Sequence, residues 1–144
     1  MRKINAAGLA LIKEFEGLRC EAYRCPAGVL TIGYGSTGPH VKVGMVISEE
    51  RAEELLLSDL RRFENGVEAL VGNAATSDNQ FSAMVSLGFN IGLGKLATST
   101  VLKRHKLGNK IGCANAFLMW NRGGGRILPG LVRRREAERK LYLC

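Results

Sequence analysis

The spacing of apolar residues divides the chain into a helix, a short β-rich stretch and a longer run of helices. Leu9, Ile12 and Phe15 recur every three residues with Leu11 beside them, which predicts an amphipathic helix over residues 5–15. Asn5 can cap its start and Gly17 its end. The pattern then shortens. Residues 18–25 and 29–36 are rich in Tyr, Val, Ile and Thr and are split by Pro26-Ala27-Gly28, which predicts a hairpin. Val41, Val43 and Met45 alternate with Lys42 and Gly44, so a third strand is expected there. Ser48-Glu49-Glu50 opens a helix whose apolar face, Leu56, Leu60, Phe63 and Val67, continues to Gly72. At about 20 residues it would be roughly 30 Å long, enough to join a small β-lobe to a helical lobe with a cleft between them.

Helical spacing dominates from there on. Ser77-Asp78-Asn79-Gln80 reads as a capping box ahead of Phe81, Met84, Val85 and Phe89, with Asn90 and Gly92 closing the helix. Ser99 or Thr98 can cap a basic helix to about Leu107, and residues 112–121 predict another that ends at Trp120, placed in the core. Gly123-Gly124-Gly125 breaks the pattern, and Pro129 suits the first turn of a last helix. There Leu131, Val132, Leu141 and Leu143 are the expected anchors, with Arg133, Arg134, Arg135 and Arg139 mostly outward.

A chain of 144 residues with 46% hydrophobic and 24% charged residues is one folding unit with a real core rather than a disordered segment. The net charge of +8 is uneven. Residues 1–100 hold 10 Lys/Arg against 11 Asp/Glu, and residues 101–144 hold 11 against 2. A basic C-terminal third suits a polyanion or an anionic envelope surface, or forms a solvated face. Cys20, Cys25, Cys113 and Cys144 show no CxxC pair or zinc spacing, so free thiols are expected. Arg2 and Lys3 precede a short apolar run at residues 6–12, but Lys13-Glu14-Phe15-Glu16 follows without a cleavage site, so no signal peptide is expected.

The candidate chemistry lies in Glu16 to Thr37, EGLRCEAYRCPAGVLTIGYGST. Glu16 stands where helix gives way to strand, Cys25 ends the first strand and Thr31 follows the turn. A hairpin would bring Cys25 and Thr31 together and aim both at Glu16. This stretch resembles the catalytic region of the phage lysozymes, the endolysin muramidases of glycoside hydrolase family 24. That family pairs a Glu with an Asp or Cys nine positions on and a Thr six beyond, as at Glu16, Cys25 and Thr31 here. FNIG at 89–92, WNRGGG at 120–125 and GLVRRREAE at 130–138 match less tightly. Ser36 departs from the His that many members carry after TIGYG.

The resemblance implies an α+β, lysozyme-like fold: a single domain, with a β-lobe at about 17–47 and a helical lobe at about 72–144 plus the N-terminal helix. It implies hydrolysis of the β-1,4 bond between N-acetylmuramic acid and N-acetylglucosamine, with Glu16, Cys25 and Thr31 catalytic and Tyr34, Phe89 and Asn90 on the substrate. Asn90 either meets a sugar or caps its helix. No metal or organic cofactor is implied. The expected partners are bacterial peptidoglycan and, through the basic third, an anionic envelope surface. No nucleic acid partner is expected, and the chain is expected to be a monomer. Such an enzyme would wait in the host cytoplasm for a holin lesion before reaching the wall.

Glycosidic cleavage needs a proton for the leaving oxygen and a water or nucleophile for the anomeric carbon. Glu16 supplies the first if its site keeps it protonated; the Thr31 hydroxyl, which donates and accepts, can hold a water. An ordinary thiol is mostly protonated at neutral pH, and an ionised Glu16 nearby would raise the Cys25 pKa further. The alternatives are a lytic transglycosylase cutting the same bond without water, a wall-binding module without activity, and a nucleic-acid binder.

Overall fold

The computed structural model describes residues 1–144 and resolves into two compact units, residues 13–61 and residues 1–12 with 62–144. The architecture is α+β, helix-dominated with a small antiparallel sheet. Helices α1 (Ala6–Glu16) and α2 (Glu49–Val71) each run through a boundary between the units.

Residues 13–61 hold β1 (Arg19–Arg24), β2 (Leu30–Gly33) and β3 (Ser36–Thr37), in the order β1-β2-β3. Thr31 faces Tyr23 across one ladder and Thr37 across the other. The second apolar run is therefore not one strand. It breaks at Tyr34-Gly35, where Gly33 (φ +68°) and Gly35 (φ +91°) take left-handed conformations that favour glycine. The third strand expected at Val41–Met45 does not form either: Val43 and Gly44 make a turn. The segment instead lies along the free edge of β1, with Ala22 N–H donating to Met45 O (2.8 Å) and Ile47 N–H to Cys20 O (2.8 Å). Ile32, Val41 and Leu55 form the apolar centre, with Ala22, Leu30, Met45 and Ile47 packed on it. The alternation in 41–45 is not a strand ladder: Val41 and Met45 pack inward, while Val43 sits exposed in the turn between them.

The other unit is organised around α3 (Asp78–Ile91). Every residue from Gln80 to Gly88 is buried, as expected of a central helix. Its capping box is complete: the Ser77 hydroxyl accepts from Gln80 N–H and the Gln80 side chain accepts from Ser77 N–H. Asn5 caps α1 as expected, its Oδ1 accepting from Gly8 N–H at 2.9 Å. Gly8 is needed because a Cβ there would stand 2.7 Å from the Ser82 Cβ. Helices α4 (Leu93–Ala97), α5 (Thr100–Lys106) and α6 (Lys110–Phe117), the hairpin β4 (Arg122–Gly123) and β5 (Arg126–Ile127), and α7 (Pro129–Leu143) complete the unit. Helix α6 thus stops short of Trp120. The glycine break is a hairpin turn, with Gly124 (φ +60°) and Gly125 (φ +81°) both left-handed.

Helix α7 corrects the reading of its arginines. Arg134 and Arg135 are buried, Arg135 completely, around an equally buried Glu138. Arg135 Nη2 donates to Glu138 Oε2 at 3.1 Å, and its Nε lies 2.7 Å from Oε1, though not aligned as a hydrogen bond. Arg134 Nε and the Ser86 hydroxyl complete the carboxylate's surroundings, at 3.4 and 2.5 Å. The helix spacing brings two of the cations inward because a buried acid receives them; of the four arginines expected outward, only Arg133 is exposed and Arg139 is half-buried.

Candidate active site

Helix α1 ends at Glu16 because Gly17 turns left-handed (φ +75°), its N–H closing on Lys13 O at 3.0 Å. Glu16 is half-buried. Its Oε1 lies 3.5 Å from where a Cβ on Gly35 would stand, so the carboxylate rests against the backbone just beyond β2. Any side chain at Gly35 would meet both that contact and an unfavourable φ.

The hairpin places the other two residues. Cys25 opens a four-residue turn, its carbonyl accepting from Gly28 N–H at 2.8 Å with Pro26 in the second position. Its own N–H donates to Val29 O at 3.0 Å. Hydrogen bonding by the Val29 N–H, then by the Ala27 N–H, lowers the Cys25 thiol pKa below its ordinary value, with a smaller contribution from the Thr31 hydroxyl. This corrects the rise expected from a nearby Glu16: backbone donors govern the thiol. Thr31 is 4% exposed and its hydroxyl donates to Val29 O at 2.9 Å. Its oxygen keeps lone pairs for a water. Cys25 and Thr31 therefore form one pair across the hairpin. The four cysteines are unbridged.

Tyr34 is buried at 6% exposure, with the Lys13 ammonium 5.9 Å from its ring centroid and Lys13 ion-paired to Glu53. Ser36, the departure noted in the sequence, is also buried. Its hydroxyl lies 3.1 Å from His40 Nε2 and hydrogen-bonds Asp59, whose carboxyl burial raises above the usual range. A serine thus links an aspartate on α2 to a histidine four residues along the loop. No local sequence signal announces that link, because Asp59 is distant in the chain.

In the helical unit, the Phe89 ring packs edge-on against Phe63 at 5.1 Å between centroids. Asn90 is exposed and does not close α3: Gly92 does, its N–H donating to Gly88 O at 2.8 Å. Asn90 instead lines a groove of about 440 Å³ with Lys95, Trp120 and Arg122. Trp120 is only half-buried, so it is part of this groove rather than wholly core.

A profile of the phage lysozyme family matches residues 13–138, from the end of α1 through most of α7. The chain belongs to the phage lysozyme family. Over 142 residues it is 47% identical to the endolysin of Bacillus phage B103, covering 97% of this chain but 54% of that protein, so the chain spans about half the length of that relative. A mutant of P22 lysozyme superposes with a TM-score of 0.92 at 40% identity, covering 100% of both chains. The muramidase domain of SpmX from Asticaccaulis excentricus gives a TM-score of 0.92 at 38% identity, covering 100% of this chain and 99% of that one.

In this member of the family, the Glu16, Cys25, Thr31 and Tyr34 positions lie within residues 13–61, and Phe89 and Asn90 lie in the other unit. Trp120, Lys95 and Arg122, which share the groove with Asn90, are not among the residues expected at the site; WNRGGG holds Trp120 and Arg122, while no local signal points to Lys95.

Proposed function

We propose that the chain is an endolysin that cleaves bacterial peptidoglycan by hydrolysis, as an N-acetylmuramidase acting on the β-1,4 bond to N-acetylglucosamine. The observation that carries this reading is the Cys25–Thr31 pair held by the hairpin turn, on the same unit as the Glu16 carboxylate. Glu16 protonates the leaving oxygen. The Thr31 oxygen accepts a hydrogen bond from water, and the Cys25 thiolate, favoured by the Val29 and Ala27 N–H groups, takes a proton from that water as it attacks the anomeric carbon. Tyr34 shapes the wall beside Glu16, while Phe89 and Asn90 contact the glycan. The endolysin names of the relatives and the muramidase domain among the structural neighbours support the substrate and the bond. No helix is long and apolar enough to cross a membrane. The enzyme is proposed to act as a monomer, from a cytoplasmic store released by a membrane lesion.

A lowered thiol pKa suits Cys25 to the role of base toward an attacking water. The test is the mass of the products from purified muropeptides. Reducing N-acetylmuramic acid ends are expected. Anhydro ends, lighter by one water, would reassign the chain to the transglycosylases, and uncleaved glycan would remove the enzymatic reading.

A further inference from the structure

Between Asp78 and Glu136 the sequence holds no acidic residue, while Lys95, Lys103, Arg104, Lys106 and Lys110 fall between residues 95 and 110. The turn between α5 and α6 lies at the centre of this acid-free region. Leu107 is 78% exposed and Ile111 is 61% exposed, and Lys103, Lys106 and Lys110 around them are all exposed. Arg104 is occupied otherwise, donating to Gly112 O at 3.0 Å. The turn is a fixed one. The Leu107 N–H bonds to Lys103 O at 3.2 Å, Gly108 is left-handed (φ +77°), and Asn109 caps α6 by accepting from Gly112 N–H at 2.9 Å. Two large apolar side chains are therefore held out toward solvent on a rigid support, among uncompensated ammonium groups.

The patch continues into an open groove of about 470 Å³ that Lys110 and Ile111 share with Leu143, Tyr142, Thr76 and Ser77. Other exposed apolar residues lack this setting: Val43 and Val46 are as exposed, but Glu49 and Glu50 follow them within a few residues. Scattered apolar residues need no explanation, whereas an apolar pair ringed by cations matches one surface chemistry. A polyanion in water, such as nucleic acid, would use the lysines and leave Leu107 and Ile111 idle. An anionic bilayer uses both, the lysines at the phosphates and the apolar side chains at the acyl boundary.

We propose that the α5–α6 turn is a peripheral docking surface for anionic lipid bilayers, with Lys103, Lys106 and Lys110 as phosphate contacts and Leu107 and Ile111 as inserting residues. It holds the protein at the membrane surface and takes no part in bond cleavage. It goes beyond the hydrolase reading and does not depend on it, because it is read by binding rather than by turnover.

The test is co-sedimentation of the full chain with vesicles of phosphatidylethanolamine and phosphatidylglycerol, against vesicles of phosphatidylcholine alone. Binding to the first and not the second is expected. The triple substitution Lys103→Gln, Lys106→Gln, Lys110→Gln should weaken it at least about tenfold, on the scale of basic residues near anionic membranes. The double substitution Leu107→Ser, Ile111→Ser should remove the part of binding that persists at 1 M salt, where screening shortens to about 3 Å. All five side chains are exposed, so melting temperature and cleavage of soluble muropeptides should match the parent. Unchanged vesicle binding in the triple variant overturns the proposal. Loss in the triple variant with none in the double, together with equal affinity for duplex DNA, also overturns it and leaves a general polyanion surface.

Discussion

In residues 13–61 the polar groups of interest are aimed by the backbone and left partly open; in the helical unit the comparable groups are buried and closed on one another. Cys25 is half-buried and takes its character from two backbone N–H groups of a turn, and Glu16 rests against a glycine. Arg134, Arg135, Glu138 and Ser86 instead close on one another out of water as an ion-paired cluster. His105 is likewise closed off, bonded through both ring nitrogens to Thr76 (2.7 Å) and Tyr142 (2.6 Å). The Thr76 hydroxyl donates to Ala74 O at 2.8 Å, so it accepts from His105 Nε2–H, and Nδ1 accepts from Tyr142. A fully paired buried group has no capacity left for a substrate and serves stability; a half-open group held by backbone donors can change partners.

The comparison breaks most sharply at Glu138. Replacing it by Ala leaves two buried guanidinium groups without their acid, and the cost expected is about 3–5 kcal/mol. A fall in Tm of roughly 10 °C should follow for a chain of this size. A change under about 1 kcal/mol would show that the cluster opens to water.

Glu16→Gln is the counterpart in the other unit. It keeps the shape but cannot donate the proton, so wall lysis should fall at least about a hundredfold, or about 2.7 kcal/mol in barrier, with Tm little changed. More than about a tenth of parent activity in a turbidity assay would displace Glu16 as the acid, on the same scale.

Cys25 gives a smaller effect. Cys25→Ala should cost about tenfold, under the usual acid–base range because Thr31 still holds the water. Cys25→Asp should retain substantial activity, since it restores an anion. The rate of iodoacetamide inactivation, followed against pH, should show a midpoint below the ordinary thiol value of about 8.5. Full activity in Cys25→Ala would leave Glu16 and Thr31 as the catalytic pair.

The smallest expected effect is a pH slope in stability from His105. Burial lowers its pKa in the folded chain, so the unfolded chain binds the proton more readily. Stability is then complete above the unfolded histidine value of about 6.5 and declines as pH falls through it. Thermal melts from pH 8 to 5 should show that decline in the parent and a flatter profile in His105→Gln. Equal slopes would assign the effect to other groups.

Local chemistry was legible from the sequence wherever neighbours along the chain decide it. The Asn5 and Ser77 caps, the turn at Pro26-Ala27-Gly28 and the Pro129 helix start all depend on residues a few positions apart. The expectation failed where burial or a distant partner decides. Alternation at 41–45 looked like a strand, but Val43 lies exposed in a turn between the inward Val41 and Met45. Arg134 and Arg135 looked outward because charge favours water unless a buried acid waits, and Ser86, 48 and 49 positions earlier, helps to hold that acid in place. The Ser36–His40–Asp59 link and the lowered Cys25 thiol pKa came only with the tertiary structure, for the same reason. The sequence by itself determined which residues can cap, turn and carry a proton. The tertiary structure decided which of them are desolvated and by whom they are met, because solvation and long-range pairing depend on distances in space rather than on positions along the chain.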